Sequence, residues 1–311
     1  MPLDPQAKAL LDKIEQSGAP AYNTLSAQEA RLLYDKASEL AQGSPPVPQA
    51  VTALKIPGPV SELDALMYKP EDSDKLPILI YFHGGGYTIG SLKSHDCVCR
   101  TLCVEAHCIV IAVDYRLAPE HKYPAAVDDS FTATQWIANN ADSLGGDAER
   151  IAVGGDSAGG NLAAVVCLKA REAGAPHLVH QLLIYPGTDM SCSFPSHKTF
   201  GQNYRLTNEL IDWFYQHYFA PDSDIGHWLA SPLNADDLSQ LPPAFVLSAG
   251  FDPLQDEDKA YADKLEQAGV AVKYSHYEGM LHGFITMPGL FDKAREALSE
   301  CAAELRKAFT T

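Results

Sequence analysis

No apolar run in the 311 residues approaches the roughly 20 that a bilayer-spanning helix requires. The opening "MPLDPQAKALLDKIEQ" lacks a basic stretch followed by an apolar block, so no export signal is expected and the chain reads as cytoplasmic. Positive charge is scarce. Against 40 Asp and Glu stand only 23 Lys and Arg, a formal net charge of -17. Nucleic acid and anionic membrane surfaces are therefore poor partners, and the excess acid reads as a solvated exterior. Internal repeats and low-complexity tracts are absent. Cysteines are odd in number, seven, and none forms a C-x-x-C pair. Cys97, Cys99, Cys103 and Cys108 cluster near His95 and His107, but the C-x-C spacing turns Cys97 and Cys99 to different faces of a helix. Free, buried thiols are expected there rather than a metal site.

Apolar periodicity supplies the architecture. Leu10, Leu11 and Ile14 mark one amphipathic helix near the start, and Leu32, Leu33, Ala37 and Leu40 mark a second. Two strand-like runs follow, "AVTALKIPG" and "LDALMYKP", joined at a Pro-Gly turn. Six further runs then alternate with helical segments: "LPILIYF", "CIVIAVD", "RIAVGG", "HQLLIYP", "PAFVLSAG" and "VAVKYSHY". Near-continuous apolar strands suit a mostly parallel sheet covered on both faces by helices. Helices are predicted at 94–106, 125–140, 158–173, 256–268 and 289–309. One stretch breaks the alternation. Between Pro186 and Pro242 lies an insertion with an aromatic-rich helix at 207–219, predicted to fold over the carboxyl ends of the strands.

Within "RIAVGGDSAGGNLAAVV", Gly155-Asp156-Ser157-Ala158-Gly159 forms a G-x-S-x-G between a strand and a helix. That setting gives the motif its meaning, because a sharp strand-to-helix turn exposes the serine hydroxyl. No Lys follows the glycines, which disfavours a phosphate-binding loop. A serine nucleophile needs a base, and the base needs a carboxylate to orient it. In this architecture they should follow in the order Ser, Asp or Glu, His, each in a loop after a strand. Asp252 lies after "AFVLSAG", and Pro253 keeps it out of helical geometry; Asp256 and Asp258 fall inside the next helix. Of eleven histidines only His276 and His282 come later. His276 is placed within a strand, and His282, in "EGMLHGF", is the better base. The stretch "YFHGGGYTIG" offers bare backbone N–H groups after a strand. Gly85 and Gly86, with Ala158, are candidates to stabilise the oxyanion of a tetrahedral intermediate. Gly84 suits the turn, and His83 reads as a loop anchor.

Taken together, "HGGGYTIGSLKSHD", "VDYRLAPEHKYPAAVDD", "RIAVGGDSAGGNLAA", "LLIYP", "DPLQDE" and "HGF" resemble the hormone-sensitive-lipase-like branch of the α/β-hydrolase carboxylesterases, as found in bacteria and archaea. The resemblance implies an α/β-hydrolase fold: an eight-stranded, mostly parallel sheet flanked by helices, with residues 51–187 and 231–311 as the catalytic domain. It also implies a helical cap from residues 1–50 and 188–230. The activity implied is hydrolysis of short- to medium-chain carboxylic esters through an acyl-enzyme, without cofactor. Leu206, Phe214, Tyr185 and Leu281 are candidates for the substrate pocket, with Trp213, Tyr218 and Phe284 nearby. A small-molecule ester is the expected partner, and since such folds commonly pair through their last strand, a homodimer is the assembly suggested. An amidase, lactonase or deacetylase would use the same three residues, and a non-catalytic ligand-binding relative would keep the fold alone.

Overall fold

A computed structural model describes residues 2–73 and 75–310. Eight strands form one sheet: β1 (Ala50–Pro57), β2 (Glu62–Lys69), β3 (Leu76–Phe82), β4 (Ile109–Asp114), β5 (Gly146–Asp156), β6 (His180–Ile184), β7 (Ala244–Phe251) and β8 (Val272–Leu281). Their order is β1-β2-β4-β3-β5-β6-β7-β8. The pairs β1–β2 and β2–β4 are antiparallel and the other pairs parallel. The helices are α1 (Pro5–Ser17), α2 (Ala27–Ala41), α3 (Asp96–Ala106), α4 (Ala125–Asn139), α5 (Ala158–Ala173), α6 (Pro195–Phe200), α7 (Asn208–Tyr218), α8 (Gln255–Gln267) and α9 (Asp292–Ala308). No helix among the described residues is long and apolar enough to cross a membrane.

All of β3 is buried because alternate side chains serve two cores. Ile78, Ile80 and Phe82 enter the layer built with α4, α5 and α8. Leu79 and Tyr81 enter the opposite layer with α3 and α9. Cys97, Cys99, Cys103 and Cys108 sit in that second layer as buried free thiols. Burial pushes the Cys97 thiol up to about 12, which keeps it protonated and inert.

A third, smaller core lies over the carboxyl ends of the strands, joining Ala30 and Tyr34 of α2 to Leu206, Ile211, Trp213 and Phe214. Here the structure corrects the apolar stripe read from α2. Leu32 and Leu40 are 73% and 79% exposed, while Ala27, Ala30, Tyr34, Ser38 and Ala41 face inward. Polar anchors set this rotation. Arg31 donates to Thr88 O (2.8 Å), Ala118 O (2.7 Å) and both Glu120 oxygens, and Ser91 Oγ donates to Asp35 Oδ1 (2.8 Å). Five directed hydrogen bonds favour this face, at the cost of two leucines left in water, each worth about 1.5–3 kcal/mol if fully buried.

A cleft of about 740 Å³ opens at the amino ends of β6 and β7, and none of its lining residues belongs to the Ser-Asp-His set. His180 lines it with both ring nitrogens unpartnered among the described residues. Burial lowers its pKa to about 4. An unfolded imidazole titrates near 6.5, so between these values the unfolded chain binds more protons. The stability His180 confers is complete above about pH 6.5 and is lost as the pH falls toward 4. Between pH 7 and 5, His180→Leu should therefore lose roughly 2 kcal/mol less unfolding free energy than the native chain. Urea titrations at both pH values measure this, and parallel pH slopes would refute it.

Candidate active site

Strand β5 ends in a turn that only glycines permit. A Cβ at Gly155 would strike the Gly159 backbone, and one at Gly159 would strike the carbonyl of Phe82. Between them Ser157 is held at φ 55°, ψ -120°, a conformation costing about 1–3 kcal/mol. The surroundings enforce it: Ser157 N–H donates to Ile184 O (2.9 Å), and Ser157 O accepts from Asn161 N–H (3.0 Å). The hydroxyl thus stands at the N-terminus of α5, whose dipole favours negative charge.

Asp252 follows β7 and is fully buried. Its Oδ1 accepts from Leu254 N–H (2.9 Å), which fixes the carboxylate plane. His282 follows β8, which runs further than its apolar run predicts, through Met280 and Leu281. A register shift between Ala249 and Phe251 accommodates the extension. Gly283 then turns the chain at φ 78°. His282 lies 2.6 Å from Asp252 Oδ2 through Nδ1 and 2.8 Å from Ser157 Oγ through Nε2. A carboxylate only accepts, so Nδ1 carries the proton and Nε2 is free to accept from the serine hydroxyl. The rivals lie elsewhere. His276 bonds Ser248 Oγ on the outer strand, and Asp256 accepts from Ser196 N–H (2.8 Å). Asp258 is buried without a partner among the described residues. Burial, then the charges of Asp252 and Glu257, push its carboxyl well up, so it stays protonated and does not compete for His282.

The glycine loop divides its labour. Gly84 N–H is occupied by Asp156 Oδ1 (3.0 Å), and Asp156 also accepts from the Tyr81 hydroxyl (2.8 Å) and contacts His95. The loop and the serine turn are thereby locked together. Gly85 and Gly86 take φ 121° and 57°, and they line the cavity beside Ser157 and Ala158. Their N–H groups have no partner among the described residues. A Cβ on Gly86 would overlap the Phe214 ring. His83 is an anchor: its Nδ1 meets Gly84 O (2.8 Å), and burial lowers its pKa to about 4.

A narrow cavity of about 100 Å³ leads to Ser157. Leu206 and Phe214 line it. Tyr185 and Leu281 do not: both are fully buried below it, Tyr185 with its ring 4.7 Å from the His282 ring. Their strand-end positions place them in the sheet's own core. Trp213 and Tyr218 are likewise packed away, Tyr218 stacked on Tyr87 at 3.8 Å. The sequence reading missed Tyr22, Tyr34, Met190 and Arg205, which do face the cavity. Tyr34, the one aromatic on the inward face of α2, carried a faint signal.

Residues 79–286 match a family described by the alpha/beta hydrolase fold. A carboxylic ester hydrolase of Mycobacterium tuberculosis is 44% identical over 273 residues, 86% of this chain and 72% of that protein. An ethyl acetate hydrolase of Pseudomonas putida is 39% identical over 309 residues, 96% of each chain. Among solved structures, an ester hydrolase from the Lake Arreo metagenome, complexed with a bipyridine phosphonate derivative, superposes with TM-score 0.97 at 44% identity, over 99% of this chain and 100% of that one. A hyperthermophilic esterase of the archaeon Pyrobaculum calidifontis gives 0.95 at 39% identity, over 99% of each chain.

Proposed function

The chain belongs to the α/β-hydrolase family, in its hormone-sensitive-lipase-like branch, and is a serine carboxylesterase; from that premise we propose that Ser157, Asp252 and His282 perform the hydrolysis. The observation that carries the assignment is the single imidazole spanning Ser157 Oγ and Asp252 Oδ2 at 2.8 and 2.6 Å. His282 takes the hydroxyl proton as Ser157 attacks the ester carbonyl, and Asp252 stabilises the imidazolium that forms. The oxyanion is held by the N–H groups of Gly85, Gly86 and Ala158, each donor worth on the order of 10²–10³ in rate. The imidazolium then protonates the departing alcohol. Water, activated by the same base, releases the acid from the acyl-serine.

Residues 1–50 and 188–230 act as the cap, since α2 and α7 bring Tyr34 and Phe214 over the cavity. The narrow space supports short to medium acyl chains. The seven free cysteines suit a reducing cytoplasm. β8, last in the sheet order, leaves an edge through which a homodimer could form. Initial rates on p-nitrophenyl esters from C2 to C16 test the reading, with an optimum at short or medium chains expected. Phe214→Ala, which removes a ring from the cavity wall, should move that optimum to longer chains and lower stability by about 3 kcal/mol. An unmoved optimum would take Phe214 out of the acyl pocket.

A further inference from the structure

Arg205 lies in the loop before α7 and is the one cationic side chain among the described residues lining the catalytic cavity. Its guanidinium covers Gly283, where an added Cβ would overlap it. Nη1 donates to His282 O at 3.1 Å, and the guanidinium also hydrogen-bonds the Tyr34 hydroxyl. Its other neighbours are phenols. Burial raises both Tyr22 and Tyr34, the latter to about 12, and the Arg205 charge opposes that rise. No carboxylate within 4 Å pairs with it among the described residues, whereas Arg31, Arg116 and Arg171 each reach an acid. The cavity's own acid, Asp156, is spent on Tyr81, Gly84 and His95.

An unpaired guanidinium in a chain of net charge -17 is unusual where acids outnumber bases. It keeps most of its five donors for something that enters the cavity, and a planar fork of donors matches a carboxylate. Its attachment to the backbone of His282, whose ring bonds Ser157 Oγ, sets it in the wall of the same narrow cavity that an acyl chain on Ser157 would enter. We propose that Arg205 is a specificity residue that binds the free carboxylate of a substrate whose other carboxyl is esterified. The preferred substrates are then half-esters of short dicarboxylic acids, hydrolysed with water to the dicarboxylate and the alcohol. This inference rests on the esterase reading above.

The test compares kcat/KM for monoethyl succinate, glutarate and adipate with that for ethyl butyrate, pentanoate and hexanoate, in the native chain, Arg205→Leu and Arg205→Lys. The readout is the ratio of half-ester to neutral ester, which a general loosening of His282 does not move. Arg205→Leu should lower that ratio by about 10- to 100-fold, the effect of a lost charge-assisted hydrogen bond. Arg205→Lys should retain more of it, and added salt should erode the native ratio. An unchanged ratio in Arg205→Leu overturns the proposal and leaves Arg205 a support for the His282 loop. Native protein that hydrolyses neutral esters but no half-ester also overturns it, with the esterase reading intact. If neither ester class is hydrolysed, the esterase reading fails and takes the proposal with it.

Discussion

Ser157→Ala is expected to lower kcat on short-chain esters by roughly 10⁵- to 10⁶-fold while leaving the protein as stable as before. The rate falls because, among the described residues, no other nucleophile lies within hydrogen-bond reach of His282. What persists is the contribution of the oxyanion donors and of binding, about 10³- to 10⁴-fold over water. Stability should hold because alanine keeps the same Cβ, so the strain at φ 55° is unaltered. Among the described residues the hydroxyl bonds His282 alone, and the backbone contacts to Ile184 and Asn161 remain. Rates on p-nitrophenyl butyrate and urea unfolding of both proteins decide it. A variant within tenfold of the native rate would remove Ser157 from the mechanism. A large loss of stability would mean that the serine is chiefly structural.

Asp252→Asn should cost about 10⁴-fold in kcat, again in a folded protein. The two oxygens of Asp252 face two donors, Leu254 N–H at 2.9 Å and His282 Nδ1 at 2.6 Å. An amide can place only one oxygen. Leu254 N–H cannot accept, so the oxygen stays with it and the NH₂ group turns toward Nδ1. The imidazole must then move its proton to Nε2, where it can no longer accept from Ser157. The loss is therefore one of tautomer, not of position. The protonated Asp258 carboxyl, six residues further along the chain, offers no replacement charge. Steady-state rates on the same ester measure the effect. A loss below about tenfold would show that the carboxylate is dispensable.

Much of this arrangement was legible because it is written in local sequence. The glycines of "HGGG" and "GDSAGG" answer to backbone demands: Gly159 meets the carbonyl of Phe82, and Gly86 takes φ 57°. No side chain meets these demands, so the sequence displays them. The central strands were readable for a similar reason. Strands buried on both faces must be apolar almost throughout, as β3 and β4 are. The chain order of Ser157, Asp252 and His282 follows from where the strands end.

What the sequence left undetermined depends on which surfaces meet across long separations. Helix α2 carries two candidate faces, and its leucines advertise the wrong one. Arg31 reaching Glu120 and Ala118, far along the chain, decides which face turns inward. Tyr185 and Leu281 are aromatic and aliphatic residues at strand ends, like many pocket residues, yet both are packed into the core layer shared with α3 and α9. Arg205 reads in sequence as one more charged residue before a helix. Only the fold of the insertion over the strand ends sets it on Gly283, beside His282. Local pattern thus determined the sheet and the order of the reactive groups. The walls of the cavity, and with them the choice of substrate, were decided by non-local packing, because a side chain's surroundings in that region belong to segments over a hundred residues apart.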